Sequence, residues 1–333
     1  MGDHRPLPQV ETRIDPLRIL VTRRWPHAVE QALANKFDVT FNSDDKPLSK
    51  KELASAMGEF DVLCPTVSDT IDAEVIAGGD RVRLIANYGV GFDHIDVAAA
   101  TAKDIAVTNT PGVLTDATAD LALTLMLMAT RRAGEGEREL RAGRWTGWGP
   151  THMVGSALKD KVLGCVGFGR IGQATAARAH HGFGMKVAYY ARREMPQASE
   201  VSGTFYPDLE QLLAVSDVVS LHIPGGPETA NLIDAAALAA MKPGSYLINT
   251  ARGGVVDHEA LAEALRSGQL AGAGLDVYPA EPQVPECLLG LENVVLLPHL
   301  GSANAETREA MGMRALANVE AFAASLPLPD KVA

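Results

Sequence analysis

A chain of 333 residues with 30 Lys and Arg against 41 Asp and Glu carries a formal charge of −11, which argues against the clustered basic surface that nucleic acid demands. Only three cysteines occur, Cys64, Cys165 and Cys287, an odd number without CxxC spacing, so neither a disulfide framework nor a cysteine zinc site is suggested and a reducing cytoplasm is the expected home. The composition, 47% hydrophobic and 21% charged, is that of an ordinary globular protein longer than a single core grows, so two domains and small-molecule chemistry are expected.

The opening MGDHRPLPQV lacks the apolar centre of a signal peptide, and Pro6 stands where a myristoylation signal wants Ser or Thr. RILVT at 18–22, DVLCPTV at 61–67, RLIANYG at 83–89 and IAVTNTP at 105–111 then read as short β-rich runs, separated by amphipathic candidates such as HAVEQALANKF and KKELASAMGEF. That alternation predicts a parallel sheet with crossover helices. A long helix follows, N-capped by Thr115 or Asp116, with LALTLMLMATRR as its buried length. Its apolar run from Leu121 to Ala129 is far short of the roughly 20 residues that span a bilayer, so no membrane partner is expected.

GEGERELRAGRWTGWGPTHMVGSALKD comes next, rich in Gly and charge and without a clean period, an interruption of the kind that functional or subunit-contact segments make. KVLGCVGFG, KVAYYAR, DVVSLHIP, SYLINTA, AGAGLDVY and NVVLLPH resume the rhythm, each short and apolar enough for a buried strand. They predict a second doubly wound sheet. ETREAMGMRALANVEAFAAS predicts one closing amphipathic helix.

The strongest motif is GFGRIG, Gly167 to Gly172, placed after the strand VLGCV and before a helical stretch, as a dinucleotide fingerprint requires. Gly167 permits the tight turn, Gly169 lets the backbone approach a pyrophosphate, and Gly172 allows helix to pack on strand. The phosphates would sit on the helix N-terminus near Arg170 and Ile171. Three more polar residues stand beyond later strands, where open α/β sheets bind their ligands: Arg252 in NTARGGVVD, Glu281 in VYPAEPQVP and His299 in LPHLGSA. A guanidinium offers a planar fork for a carboxylate. Taken singly, His299 could equally be a satisfied buried side chain, and Glu281 a solvated one.

Together these motifs resemble the D-isomer-specific 2-hydroxyacid dehydrogenases over nearly the whole chain. The likeness is carried by NYGVGFDHID at 87–96, TPGVLTDATADLAL at 110–123, VGFGRIG at 166–172, LHIPGGPET at 221–229, MKPGSYLINTARGGVVD at 241–257, GLDVYPAEP at 274–282 and LLPHLGSA at 296–303. The resemblance implies an α/β fold of two doubly wound parallel-sheet domains. A Rossmann nucleotide domain at 110–299, with a dimerisation segment around 116–155, would be inserted in a flavodoxin-like substrate domain formed by 1–109 and 300–333. The active site would lie in the cleft between them. Arg252 is then implied to bind the substrate carboxylate and polarise the carbonyl, His299 to protonate its oxygen, and Glu281 to orient the imidazole. Val90 and Gly91 would hold the other end of the carboxylate through their amides. For the cofactor the resemblance adds Thr115, Thr250, Ala251 and Asp276 to the glycine motif; no metal is implied. The chemistry agrees, since reduction of a 2-keto acid builds negative charge on an oxygen that needs a proton donor and a fixed cation.

Within the family, the Glu281 partner speaks against formate dehydrogenases, which use a glutamine, and the chain has no room for the regulatory domain of many phosphoglycerate dehydrogenases. Glyoxylate and hydroxypyruvate reductases are the nearer likeness. A ribose 2′-hydroxyl wants an acid after the second strand of the nucleotide domain, where VAYYARRE places Ala191, Arg192 and Arg193. Arginines attract a 2′-phosphate instead, so NADPH is the expected cofactor, with NADH possible and a solvated basic loop as the alternative. Trp145 and Trp148 read either as packing residues or, as in some relatives, with Trp148 lining a partner's substrate pocket across a homodimer. Bulkier 2-keto acids such as phenylpyruvate, and a non-enzymatic dinucleotide sensor like the family's corepressors, are the competing readings.

Overall fold

The computed structural model describes residues 17–332; the opening MGDHRPLPQV lies outside the described residues. The chain forms two compact units, the second inserted within the first. The first comprises 17–88, 94–109 and 312–332, and the second 89–93 and 110–311.

In the first unit five parallel strands, β1 (Arg18–Val21), β2 (Asp38–Phe41), β3 (Val62–Cys64), β4 (Leu84–Ala86) and β5 (Ala106–Thr108), stand in the order 2-1-3-4-5, the flavodoxin-like order. β3 and β4 are buried at every residue, which is why parallel strands read as unbroken apolar runs. β2 departs from that pattern. Its DVTF sequence alternates exposed and half-buried residues because it lies at the sheet edge, and no apolar run announces it. On the far edge, the C-terminal segment bridges β5 through Thr108 and Lys331, and Asp330, bonded to Arg314 and Asn318, anchors it to the closing helix.

The second unit holds seven parallel strands: β6 (Val162–Val166), β7 (Lys186–Tyr190), β8 (Thr204–Tyr206), β9 (Val218–Leu221), β10 (Ser245–Asn249), β11 (Leu270–Leu275) and β12 (Val294–Leu296). Their order, 12-11-10-9-6-7-8, reverses direction between β6 and β9. Such a switch point opens a crevice at the carboxyl ends of the two strands, and the glycine motif follows β6 directly.

The Thr115–Thr130 helix covers this sheet with Leu125 and Met126 fully buried, each worth about 1.5–3 kcal/mol of apolar transfer. Its start corrects one expectation. Leu114 is the N-cap, without a side-chain bond, and Thr115 and Asp116 are the first helical residues, because the turn at Gly112 carries the chain directly into the helix through the Thr115 amide. The interrupting segment also holds a helix, Ala133–Arg141. It buries no residue, so it lacks the apolar stripe by which a sequence reveals a helix, and is held by Arg132–Glu135 and Glu137–Arg141 ion pairs. Among the described residues no helix is long and apolar enough to cross a membrane.

Candidate active site

The site is built on the carboxyl ends of the strands of the second unit. At β6, Gly167 has φ +92, and a Cβ there would lie 2.6 Å from the carbonyl oxygen of His222. A Cβ on Gly172 would lie 2.4 Å from the Gly167 oxygen, whereas Gly169 faces open space. The helix Arg170–Phe183 begins with Gly169 as N-cap, with no capping side chain and no acid in its first turn. An uncapped, acid-free helix start beside an open glycine fits a pyrophosphate. Ala191 follows β7, whose Tyr190 carbonyl accepts the Gly167 amide, so Arg192 and Arg193 emerge beside the same turn. Both are exposed and form no hydrogen bond or ion pair with another described residue.

On the other side of the switch point Thr250 follows β10 with a buried hydroxyl lacking a partner among the described residues, and the Ala251 amide donates to the Asn249 side chain. His222, assigned no role from the sequence, follows β9 with both ring nitrogens buried and without a partner among the described residues; burial pulls its pKa down to about 4, so it is neutral at working pH. Its signal was the HxP turn of LHIPGGPET.

β11 and β12 place the titratable group of the site. His299 has φ +54, a left-handed conformation that costs about 1 kcal/mol or more for a side chain of this kind and must be held from outside. Asp276, just past β11, does the holding. Its carbonyl accepts the His299 amide at 2.9 Å, and its two carboxylate oxygens accept the amides of Leu300 at 2.7 Å and Gly301 at 2.8 Å. Glu281 returns from the loop after β11, bonded through Oε1 to the Tyr278 amide at 3.0 Å, and its Oε2 lies 2.7 Å from His299 Nδ1. Burial works against the Glu281 charge, but the His299 bond and charge, the Tyr278 amide and the Arg252 charge outweigh it and hold the carboxyl below its ordinary value. Asp276 goes the other way: its burial outweighs the backbone bonds and the His299 charge, and its pKa rises to about 6.

Arg252, after β10, is turned toward the 89–93 loop. Its Nε donates to Asp93 Oδ1 at 2.8 Å and Oδ2 at 3.0 Å, and Nη1 to the Ala251 carbonyl at 2.8 Å. A Cβ on Gly91 would lie 1.5 Å from Nη2, so the guanidinium rests on the backbone of the loop that the sequence singled out. The structure thus brings Arg252 to Gly91, next in chain to Val90, and Glu281 to His299 and Asp276. Asp93 was missed, for it lies 159 residues from Arg252 in a loop with no periodic signal. Trp148 stands apart, 85% exposed. No group of three or more His, Cys, Asp or Glu among the described residues could hold a metal ion.

Residues 123–301 match the model of the D-isomer specific 2-hydroxyacid dehydrogenase NAD-binding domain. The chain belongs to the D-isomer-specific 2-hydroxyacid dehydrogenase family. It is 46% identical to a glyoxylate reductase of Thermococcus litoralis over 310 residues, 92% of this chain and 93% of that one, and 44% identical to one of Korarchaeum cryptofilum over 307 residues, 92% of each. Among solved structures, the NADPH-dependent glyoxylate/hydroxypyruvate reductase of Sinorhizobium meliloti, in complex with NADP and malonate, superposes with a TM-score of 0.85 at 34% identity, covering 96% of this chain and 97% of that one. The family places NAD(P) on the second unit of this oxidoreductase.

Proposed function

We propose that this protein reduces a small 2-keto acid, glyoxylate or hydroxypyruvate, to the D-2-hydroxy acid, with NADPH preferred over NADH. The observation that carries the reading is the 2.7 Å contact between His299 and Glu281 on the same strand ends as the glycine motif and Arg252. With Nδ1–H engaged by Glu281, Nε2 is the ring nitrogen left to deliver a proton to the carbonyl oxygen. The carboxylate at Nδ1 fixes the ring and its tautomer. Arg252 presents its Nη edge to the substrate carboxylate and polarises the carbonyl, and the amides of Val90 and Gly91 take the rest of the anion. Bound reduced nicotinamide supplies the hydride.

Gly167, Gly169, Arg170, Ile171 and Gly172 would hold the pyrophosphate, with Thr115, Thr250, Ala251 and Asp276 toward the nicotinamide end. Arg192 and Arg193 would meet the 2′-phosphate, and their lack of a partner among the described residues supports that use. A homodimer is part of the reading: Leu140, Trp145, Trp148 and Val154 expose an apolar run on one segment, which a second copy would cover, with Trp148 reaching the partner's substrate pocket.

The test is a matrix of initial rates with glyoxylate, hydroxypyruvate, pyruvate and phenylpyruvate, each with NADPH and NADH. Fast turnover of either of the first two with NADPH is the expected result. A preference for phenylpyruvate would transfer the activity to bulkier acids, and silence with all four would leave a dinucleotide-sensing role.

A further inference from the structure

The chemistry above leaves Asp93 without a task, yet the site is shaped around it. Both of its carboxylate oxygens lie on Arg252 Nε, the Ala251 carbonyl takes Nη1, and Nη2 has no partner among the described residues. Two glycines make room for the pair. A Cβ on Gly91 would strike Nη2 at 1.5 Å, and a Cβ on Gly225 would lie 2.9 Å from Arg252 Cγ and 3.1 Å from Asp93 Oδ2. The long arginine side chain is therefore fixed at its stem by Gly225, at Nε by Asp93, at Nη1 by a carbonyl and across its plane by Gly91. Nη2 and the second hydrogen of Nη1 are left without a partner among the described residues, and they lie on the Nη edge that a planar carboxylate pairs with.

We propose that Asp93 is the positioning residue for Arg252, holding the guanidinium so that its Nη edge meets the substrate carboxylate, and balancing its charge so that recognition depends on alignment. This rests on the reductase reading given above. A charge-balanced fork attracts an anion less strongly than a bare one, but it loses no orientation on binding. The two contributions separate in different variants. Asp93→Asn keeps an oxygen for Nε and removes the charge, whereas Asp93→Ala removes both.

The experiment measures kcat and KM for glyoxylate in the wild type, Asp93→Asn, Asp93→Ala, Arg252→Ala and the double variant Asp93→Ala/Arg252→Ala, with NADPH affinity and thermal unfolding alongside. For Asp93→Ala, kcat is expected to fall about tenfold or more, as misaligned reacting groups do, with NADPH affinity unchanged. For Asp93→Asn, kcat stays within about threefold of wild type while KM falls several-fold, because the unbalanced cation grips the anion harder. A merely structural role would not tighten KM. The double variant is expected to be no worse than Arg252→Ala, since Asp93 acts through that side chain.

Asp93→Ala within twofold of wild type in both constants, an Asn variant with raised KM, or a further loss in the Arg252→Ala background would overturn the inference. Absence of turnover by the wild type with every 2-keto acid would instead strike the reductase reading. Asp93 is then judged by calorimetric binding of oxalate in the presence of NADPH: tighter binding by Asp93→Asn sustains its role, and unchanged or undetectable binding ends it.

Discussion

The Asp276–Glu281–His299 corner and the Ala191–Arg193 turn sit at the ends of the same sheet and are finished to different degrees. In the corner, both Glu281 oxygens, both Asp276 oxygens and His299 Nδ1 have partners within 3.0 Å, and the strained His299 backbone is held by Asp276. In the turn, two exposed arginines have no partner among the described residues. The first is organised before any ligand arrives, as the proposed proton transfer in a fixed direction would require. The second, on the proposed reading, would be completed by the 2′-phosphate of its ligand. Damage to the corner should therefore appear in kcat, and damage to the turn in cofactor affinity.

The largest effect is expected from His299→Asn, which keeps the volume and removes the proton: kcat should fall by about 10²–10⁴-fold with NADPH affinity unchanged, read from steady-state rates and fluorescence titration. Arg252→Ala comes next, lowering kcat/KM for glyoxylate by about 10²-fold, the scale of a lost charge-assisted pair. Arg192→Ala with Arg193→Ala should weaken NADPH by about tenfold or more and leave NADH nearly untouched; equal losses would return that turn to a solvated loop. The smallest effect is expected from Glu281→Gln, which keeps a hydrogen-bond partner for His299 Nδ1 and removes the charge: kcat should fall by about threefold with NADPH affinity unchanged, and an unchanged kcat would detach Glu281 from the role.

The same carboxyl gives a stability signature. Because its folded pKa lies below 4.5, the stabilisation it lends is complete above that value and is lost as pH falls through the lowered one. Glu281→Gln should flatten that part of the acid limb of thermal unfolding. Asp276 has the opposite sign: with its pKa raised to about 6, its stabilising proton is present below 3.8 and is lost as pH rises through about 6.

What the sequence revealed follows from what it can encode locally. Buried parallel strands such as VLGCV and SYLIN write themselves as apolar runs, and GFGRIG carries both its turn and its helix start within six residues. The edge strands DVTF and TFY, half-exposed, do not. Nor does the AGEGERELR helix, whose stabilising contacts are ion pairs on a surface. In the site, Arg252, Glu281 and His299 were legible because each terminates or follows a strand. Asp93 was not, since its meaning depends on a contact across 159 residues and on two glycines that make space for it. The buried His222 ring was hidden for the same reason, burial being a property of the folded chain.

The most direct measurement is glyoxylate-dependent oxidation of NADPH by the wild type and by His299→Asn in parallel, with NADPH binding measured for both. Rapid oxidation by the wild type, with loss of turnover but retained binding in the variant, is the expected result. A wild type that binds NADPH without turning over any 2-keto acid, or a variant that turns over unimpaired, would contradict it.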